Sequence, residues 1–169
     1  MKEKRLLDHD FKWVPPHERK SRLPGTDKPH RIGPPENRKP LLWVTRLEPI
    51  KAKSDVFLIN DSGEILEEVI PDSAGLYLSD DDALPVSSQS KVIYQNVQPG
   101  EAVKIEEYDQ FYDSDSILGL SVLVKSKKLG DMELSTYGSK GGIWGGVLLW
   151  DTLEVGEIVS KKIIDKSKT

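Results

Sequence analysis

The sequence predicts an all-β protein, an antiparallel β-sandwich with a disordered or extended N-terminal arm. Residues 1–40 are rich in proline and basic residues and show no sustained periodicity. Residues 41–169 contain about nine short apolar or alternating stretches, with turn signals about every ten residues. No segment has the pattern of a strong amphipathic helix. We therefore divide the chain into a basic, proline-rich arm (residues 1–40) and a β-sandwich domain (residues 41–169).

The arm differs from the rest of the chain in charge and in proline content. Residues 1–50 contain 12 Lys and Arg against 7 Asp and Glu, a net charge of +5, whereas residues 51–169 carry a net charge of −9. Eight of the eleven prolines also fall in the first fifty residues, too many for a helix or a central strand. Few apolar residues offset the entropy of ordering, so we expect the isolated arm to be disordered or extended.

One apolar cluster interrupts the polar arm. It consists of Phe11, Trp13 and Val14. Exposed aromatic clusters are uncommon, and two interpretations fit this one. Either the segment docks on its own body, or it is a short recognition motif for another protein. Phe11 and Trp13 are therefore candidate partner-binding residues.

The first strands of the domain are predicted at residues 41–44 and 56–60. Both stretches are unbroken runs of apolar residues that include β-branched and aromatic side chains, which is typical of strands buried on both faces. Gly63 is expected to take a positive φ in the hairpin turn that follows. Residues 64–70 have apolar side chains at helical spacing, but the short length and Pro71 favour a strand.

The remaining strands follow at regular intervals. Pro99 and Gly100 suit the centre of a type II turn. The stretches are residues 91–97, 102–108, 117–125, 131–137, 143–150 and 157–164. The body resembles immunoglobulin-like sandwiches in architecture: one strand ends in an Asn-x-x-Gly turn, and "VQPGE" opens another. Such a resemblance implies a fold and no particular activity.

A glycine-rich stretch, residues 138–151, contains a lysine and so raises the question of a phosphate-binding loop. That loop needs its glycines before a Lys-Ser/Thr pair and a helix after it. Here Lys140 precedes its glycines, and a predicted strand follows. We expect Gly141–Gly142 to form a turn, and Gly145–Gly146 to mark a bulge or a close backbone contact within the strand.

Two acidic stretches raise the possibility of a calcium site. One is residues 80–82; the other supplies Asp109, Asp113 and Asp115. Ca²⁺ takes six to eight oxygen ligands, and the second stretch departs from the EF-hand spacing. We predict no metal site. Asp109, Asp113 and Asp115 are the candidate ligands to be checked in the structure. A calcium-dependent or anionic-surface-binding sandwich is the corresponding alternative function.

Several catalytic chemistries lack their residues. The chain has no cysteine, and its three histidines, at positions 9, 17 and 30, all lie in the arm. No general base of this type is therefore available in the body, and no zinc pattern is present. We predict no catalytic residues, no cofactor and no enzymatic activity. The basic residues of the arm suggest nucleic-acid contact as a further alternative, but acidic residues interrupt them.

The last candidates are three aromatic residues, Tyr108, Phe111 and Tyr112, within five positions of a predicted loop. Exposed aromatic residues of this kind favour a contact with another protein, although Tyr108 could end a strand facing inward. The first residues lack the apolar core of a secretion signal, and no run is long enough to span a bilayer. We predict a cytoplasmic, non-enzymatic interaction module with a docking arm and an unidentified protein partner, without membrane contact.

Overall fold

The computed structural model of the chain describes residues 1–19, 34–72, 75–78, 83–86 and 92–165. These residues form an all-β structure with two five-stranded antiparallel sheets and a smaller four-stranded sheet, so the prediction of an all-β protein is confirmed. In chain order the strands are β1 (Arg5–Leu6), β2 (Pro40–Arg46), β3 (Lys53–Asn60), β4 (Leu66–Asp72), β5 (Gly75–Leu78), β6 (Ala83–Val86), β7 (Tyr94–Val97), β8 (Ala102–Asp109), β9 (Ile117–Leu118), β10 (Ser121–Lys125), β11 (Met132–Thr136), β12 (Ser139–Lys140), β13 (Gly145–Trp150) and β14 (Val159–Ile163).

The nine predicted strands are all present. Residues 64–70 contribute to strand β4, so the helical alternative is wrong. The stretch 117–125 divides at Gly119 into β9 and β10, which belong to different sheets. Four strands of two to four residues, β1, β5, β6 and β12, were not predicted. They are too short to produce a recognisable alternation in the sequence.

The first five-stranded sheet has the order β1-β8-β3-β2-β13. Successive side chains on a strand point to opposite faces. On β2, Leu42 and Val44 join the main core, while Trp43 joins a second cluster on the other face. On β3, Leu58 and Phe57 divide in the same way. The prediction that both strands are buried on both faces is therefore confirmed.

The main core is shared between the two five-stranded sheets. The second of these sheets has the order β14-β11-β10-β4-β7. One continuous cluster of buried apolar side chains takes members from both sheets, among them Val44, Leu58 and Val103 from the first sheet and Leu66, Val122 and Leu134 from the second.

The start of the arm covers the outer face of the first sheet, the face turned away from the main core. Four partly buried side chains pack against this face: Leu6 of the edge strand β1, Phe11 and Trp13 of the arm, and Leu47, which follows β2. Beneath them lie Trp43, Phe57, Ile59, Ala102, Val147 and Trp150. A sheet with two apolar faces needs a cover on each, and the described part of the arm supplies the outer one.

The glycine-rich stretch agrees with its prediction in part. Gly141 and Gly142 form a turn with φ values of 73° and 92°, as expected. The predicted bulge at Gly145–Gly146 is misplaced: β13 pairs regularly with β2 through Val147, and the register shifts between Val147 and Trp150. Gly145 instead marks a close approach, since a Cβ there would lie 3.0 Å from the Val44 carbonyl oxygen.

Candidate functional site

A hairpin between β2 and β3 presents an exposed isoleucine at one end of the first sheet. Lys51 and Ala52 take left-handed φ values of 50° and 67°, which reverses the chain in two residues. Ile50 and Lys53 exchange backbone hydrogen bonds of 2.8 and 3.1 Å across this turn. This turn was not predicted, because it contains neither the glycine nor the asparagine that marks such turns in a sequence.

The loop after β8 lies beside this hairpin. The Gln110 N–H donates to the Ala52 carbonyl at 2.8 Å. Within the loop, the Asp109 carboxylate accepts a hydrogen bond of 2.9 Å from the Phe111 N–H. The Asp113 carboxylate accepts one of 2.7 Å from the Asp109 N–H. These bonds hold the backbone of Phe111 and Tyr112 in a defined turn while both rings point into solvent.

The third loop at this end of the sheet carries Trp144. An arginine of β2, held between two aromatic rings, joins this loop to the sheet. The Arg46 guanidinium lies 4.8 Å from the Tyr108 ring centroid and 4.5 Å from that of Trp144. It also donates a hydrogen bond of 2.8 Å to the Gly141 carbonyl. Burial lowers the pKa of Arg46 from its usual value, although the group stays cationic at any neutral pH. The ring contacts fix Trp144 against β2.

Together these loops expose four large side chains at one end of the sheet, which we name the loop end: Ile50, Phe111, Tyr112 and Trp144. Their exposed fractions are 77%, 82%, 81% and 53%, respectively. The strands β8, β3, β2 and β13 are neighbours in the sheet, so the loops that connect to them lie side by side at one end of the strands. Phe111 and Tyr112 were predicted from the sequence; Ile50 and Trp144 were not.

Tyr108 is not part of this exposed surface; it faces inward near the end of β8, the alternative that the sequence left open for it. It lies on β8 with its ring in the main core. The ring fills the space beside Gly142, where a Cβ would lie only 2.5 Å from it. Burial raises the pKa of the Tyr108 phenol well above its usual value, so the group is neutral. Tyr108 supports the loop end from beneath.

The three aspartates of the calcium hypothesis do not converge. Asp109 and Asp113 use their carboxylates in turn hydrogen bonds. Asp115 lies 3.2 Å from the Lys140 ammonium, and both side chains are exposed. Within the ranges that the structure describes, no group of three His, Cys, Asp or Glu side chains could hold a metal ion. Residues 80–82 lie outside those ranges.

A second candidate surface is the part of the body on which the start of the arm lies. We name this surface the seat; it includes Asp55, Phe57, Gln95, Glu101 and Trp150. We name residues 1–13 the N-terminal segment. Its strand β1 pairs with β8, and its Arg5 guanidinium lies 3.3 Å from the Glu101 carboxylate, which is only 2% exposed. Arg5 also donates a hydrogen bond of 2.6 Å to the Gln95 carbonyl. A buried carboxylate needs such a partner, so Arg5 anchors the segment to its seat.

Further polar contacts extend this anchor along the edge of the sheet. The Lys4 ammonium lies 3.4 Å from Asp55, which Lys104 approaches at 2.7 Å. Burial acts to lower the pKa of Lys104, but hydrogen bonds to Asp55 and Glu107 outweigh it and raise that pKa. The Tyr94 hydroxyl accepts from the Lys4 N–H at 3.1 Å and donates to the Lys104 carbonyl at 2.6 Å.

The two aromatic residues of the N-terminal segment are occupied within the same molecule. The Phe11 ring lies 5.7 Å from that of Phe57, and the Trp13 ring meets Trp150 edge to face at 5.4 Å. Both are half-buried. The interpretation that the segment docks on its own body therefore accounts for their contacts. The buried Trp13 indole N–H has no hydrogen-bond acceptor among the described residues.

Three of the seven described lysines and arginines of the arm are paired with acids: Lys4, Arg5 and Arg38. Arg38 binds Glu36 at 2.8 Å and lies 3.3 Å from Glu154. The hydrogen bond from Arg38 lowers the pKa of Glu36 to about 2. Lys4 and Arg5 are engaged by acids in the seat. These groups are therefore not presented as a free cationic surface for phosphates, while residues 20–33 lie outside the described ranges.

Two of the three histidines of the arm, His9 and His17, make contacts within the molecule, and His30 lies outside the described ranges. His9 stacks on Phe11 at 4.8 Å, and its Nε2 lies 2.8 Å from the Gly100 carbonyl oxygen. His17 accepts a hydrogen bond of 3.2 Å from the Glu36 N–H. Each of these two imidazoles therefore uses a ring nitrogen in a hydrogen bond to the backbone.

Comparison with known proteins gives no relative from which a function could be transferred. No protein family matches the chain, and neither the curated proteins nor the solved structures yield a match. Within the described ranges, no helix is both long and apolar enough to cross a membrane. The loop end and the seat are therefore the features of this chain from which a function can be proposed.

Proposed function

We propose that the protein is a non-enzymatic interaction module that contacts another protein through the loop end. The observation that carries this proposal is the exposure of Ile50, Phe111, Tyr112 and Trp144 on three neighbouring loops. Exposing apolar rings to water is unfavourable, and groups of them on a soluble domain usually mark a contact surface. Aromatic residues also dominate the binding energy of protein interfaces.

Local hydrogen bonds support a binding role for this surface. The turn bonds of Asp109 and Asp113 fix the backbone that carries Phe111 and Tyr112. The stack of Arg46 on Trp144 fixes the third loop. A surface that is ordered before binding loses less conformational entropy in the complex, which favours affinity.

The charges beside the aromatic pair indicate the chemistry of the partner. Asp109, Asp113 and Asp115 flank Phe111 and Tyr112. An interface typically has an apolar centre and a polar rim with complementary charge. Lys140 lies 3.2 Å from Asp115, and Lys51 is exposed in the neighbouring turn. The matching surface on the partner is therefore apolar at its centre and carries charges of both signs at its rim.

The same proposal includes the finer architecture of the domain. The shared core is consistent with the two five-stranded sheets stacking face to face as a β-sandwich. Sandwiches place their loops at the two ends of the stack, where many of them bind partners. The immunoglobulin-like arrangement and the cytoplasmic location remain parts of this proposal.

Photo-crosslinking in living cells tests the proposed contact surface. A photoreactive amino acid is placed at Tyr112 and, in a matched control, at Ile163. Ile163 is also exposed, but it pairs with Met132 at the start of β11. The chain leads to Trp144 and the loop end from the other end of that strand. We expect a discrete crosslinked protein from position 112 and not from position 163. No crosslink at position 112, or the same products at both positions, would contradict the proposal.

A further inference from the structure

The N-terminal segment binds the body in the manner of an added β-strand. Arg5 and Leu6 pair antiparallel with Val103 and Ala102 of β8. The Lys104 N–H donates to the Lys4 carbonyl at 2.9 Å. Addition of an extended peptide to a sheet edge is a common mode of peptide recognition, in which backbone bonds give affinity and side-chain contacts give specificity.

Side chains of the segment meet matched groups of the seat. Arg5 reaches the buried Glu101 carboxylate at 3.3 Å, and Phe11 and Trp13 lie against rings of the outer face. The seat therefore selects a cation followed by two aromatic rings at defined spacings. Each of these three contacts joins the segment to a residue of the body: Glu101, Phe57 or Trp150.

The connection between segment and body is long enough to reach another molecule. Twenty residues, 14–33, separate Trp13 from Pro34. Pro16–Glu18 form a short 3-10 helix, and the other 17 residues could span up to about 60 Å if extended. A folded domain of this size has a radius of gyration of only about 15 Å. The seat of a neighbouring copy is therefore within reach.

We infer that the seat also accepts the N-terminal segment of a second copy of this chain, giving a dimer with reciprocally exchanged segments. Exchange of an identical element is a route to dimers with little cost, because each copy keeps every contact of the monomer. The segment of the same chain competes at an effective concentration in the millimolar range. Exchange therefore dominates only when the intramolecular contact is weakened or when copies are held close together.

A charge exchange between two full-length variants tests this inference. Arg5→Glu places a second carboxylate beside Glu101, and Glu101→Arg places a second guanidinium beside Arg5. Each variant alone has like charges in its own seat. In a mixed dimer, both exchanged segments meet an opposite charge. We expect each variant to be monomeric near 10 μM and their equimolar mixture to double in mass by light scattering, with an affinity at least tenfold above that of either homodimer.

A second measurement covers the case in which Glu101→Arg disturbs folding, since Glu101 also accepts a hydrogen bond of 2.7 Å from the Gln98 N–H. A labelled synthetic peptide of residues 1–15 is titrated into full-length Phe11→Ala/Trp13→Ala protein, whose seat residues are unchanged. We expect saturable binding at least tenfold tighter than to the wild type, and loss of binding when the peptide carries the same two substitutions.

Two results would overturn the inference. One is a mixture of folded charge variants that stays monomeric; the other, decisive where Glu101→Arg is unfolded, is the absence of saturable peptide binding. Neither result concerns the loop end. Adding Phe111→Ala/Tyr112→Ala to the Phe11→Ala/Trp13→Ala protein should leave its affinity for the peptide unchanged. Failure of this inference and failure of the proposed function are therefore distinguishable.

Discussion

Replacing Phe11 and Trp13 together by alanine should destabilise the whole domain by about 4 kcal/mol. A buried aromatic side chain covers 150–250 Å², so each half-buried ring loses about 100 Å² of contact on truncation. At about 25 cal/mol/Å² this is about 2.5 kcal/mol for each ring. The ring pairs with Phe57 and Trp150 add roughly 0.5–1 kcal/mol each, and the regained side-chain freedom offsets about 1 kcal/mol each.

Differential scanning calorimetry measures this loss as a lower melting temperature. For a domain of this size, 1 kcal/mol corresponds to roughly 2–4 °C, so the double variant should melt roughly 8–16 °C below the wild type. Lys12→Ala is the matched control, because Lys12 is exposed between the two rings and should change stability by less than about 0.5 kcal/mol.

A further variant separates the ring of Trp13 from its polar atom. Trp13→Phe removes an indole N–H that has no acceptor among the described residues, and it should retain most of the stability. A double variant that melts within about 2 °C of the wild type would refute the reasoning. The segment would then lie on the body without stabilising it.

Two further predictions concern single contacts. Arg5→Ala leaves the buried Glu101 carboxylate without its cation and should lower the free energy of unfolding in urea by about 1–3 kcal/mol; an unchanged denaturation midpoint would show that the pair contributes nothing. Gly142→Ala should cost more stability than Gly141→Ala, because both positions have a positive φ but only Gly142 would drive a Cβ to within 2.5 Å of the Tyr108 ring. Equal melting temperatures for the two glycine variants would contradict that explanation.

The strands were predictable where alternation or apolar runs were long enough. Leu42, Trp43 and Val44 are consecutive apolar residues, and the structure buries them on alternate faces of one sheet. That pattern also implied that something must cover the outer face. Phe11 and Trp13 provide part of that cover. The sequence left open whether these residues dock on their own body or bind another protein.

Other features depend on tertiary geometry that composition does not encode. The two-residue strand β1 has no periodicity, and the basic charge of the segment becomes meaningful only once Glu101 and Asp55 are placed beside it. Tyr108 and Phe111 are both aromatic and lie three positions apart, yet one ends in the core and the other in solvent because β8 ends between them.

The loop end was half predictable for the same reason. Phe111 and Tyr112 stand out as aromatic residues among acidic ones within one stretch of sequence. Ile50 and Trp144 join them through strand order, since β2 pairs with both β3 and β13. Strand order is a long-range property, and local patterns of sequence do not contain it.

The central claim, that the loop end is a protein-binding surface, is tested most directly by the affinity for the protein crosslinked at Tyr112. Calorimetric titration would compare wild type, Phe111→Ala/Tyr112→Ala and the control Ile163→Ala. Aromatic residues at the centre of an interface each cost about 2 kcal/mol or more on truncation, so the double variant should lose about 4 kcal/mol and bind roughly 700-fold more weakly. Ile163→Ala should bind within twofold of the wild type. A double variant that binds within threefold of the wild type would contradict the claim.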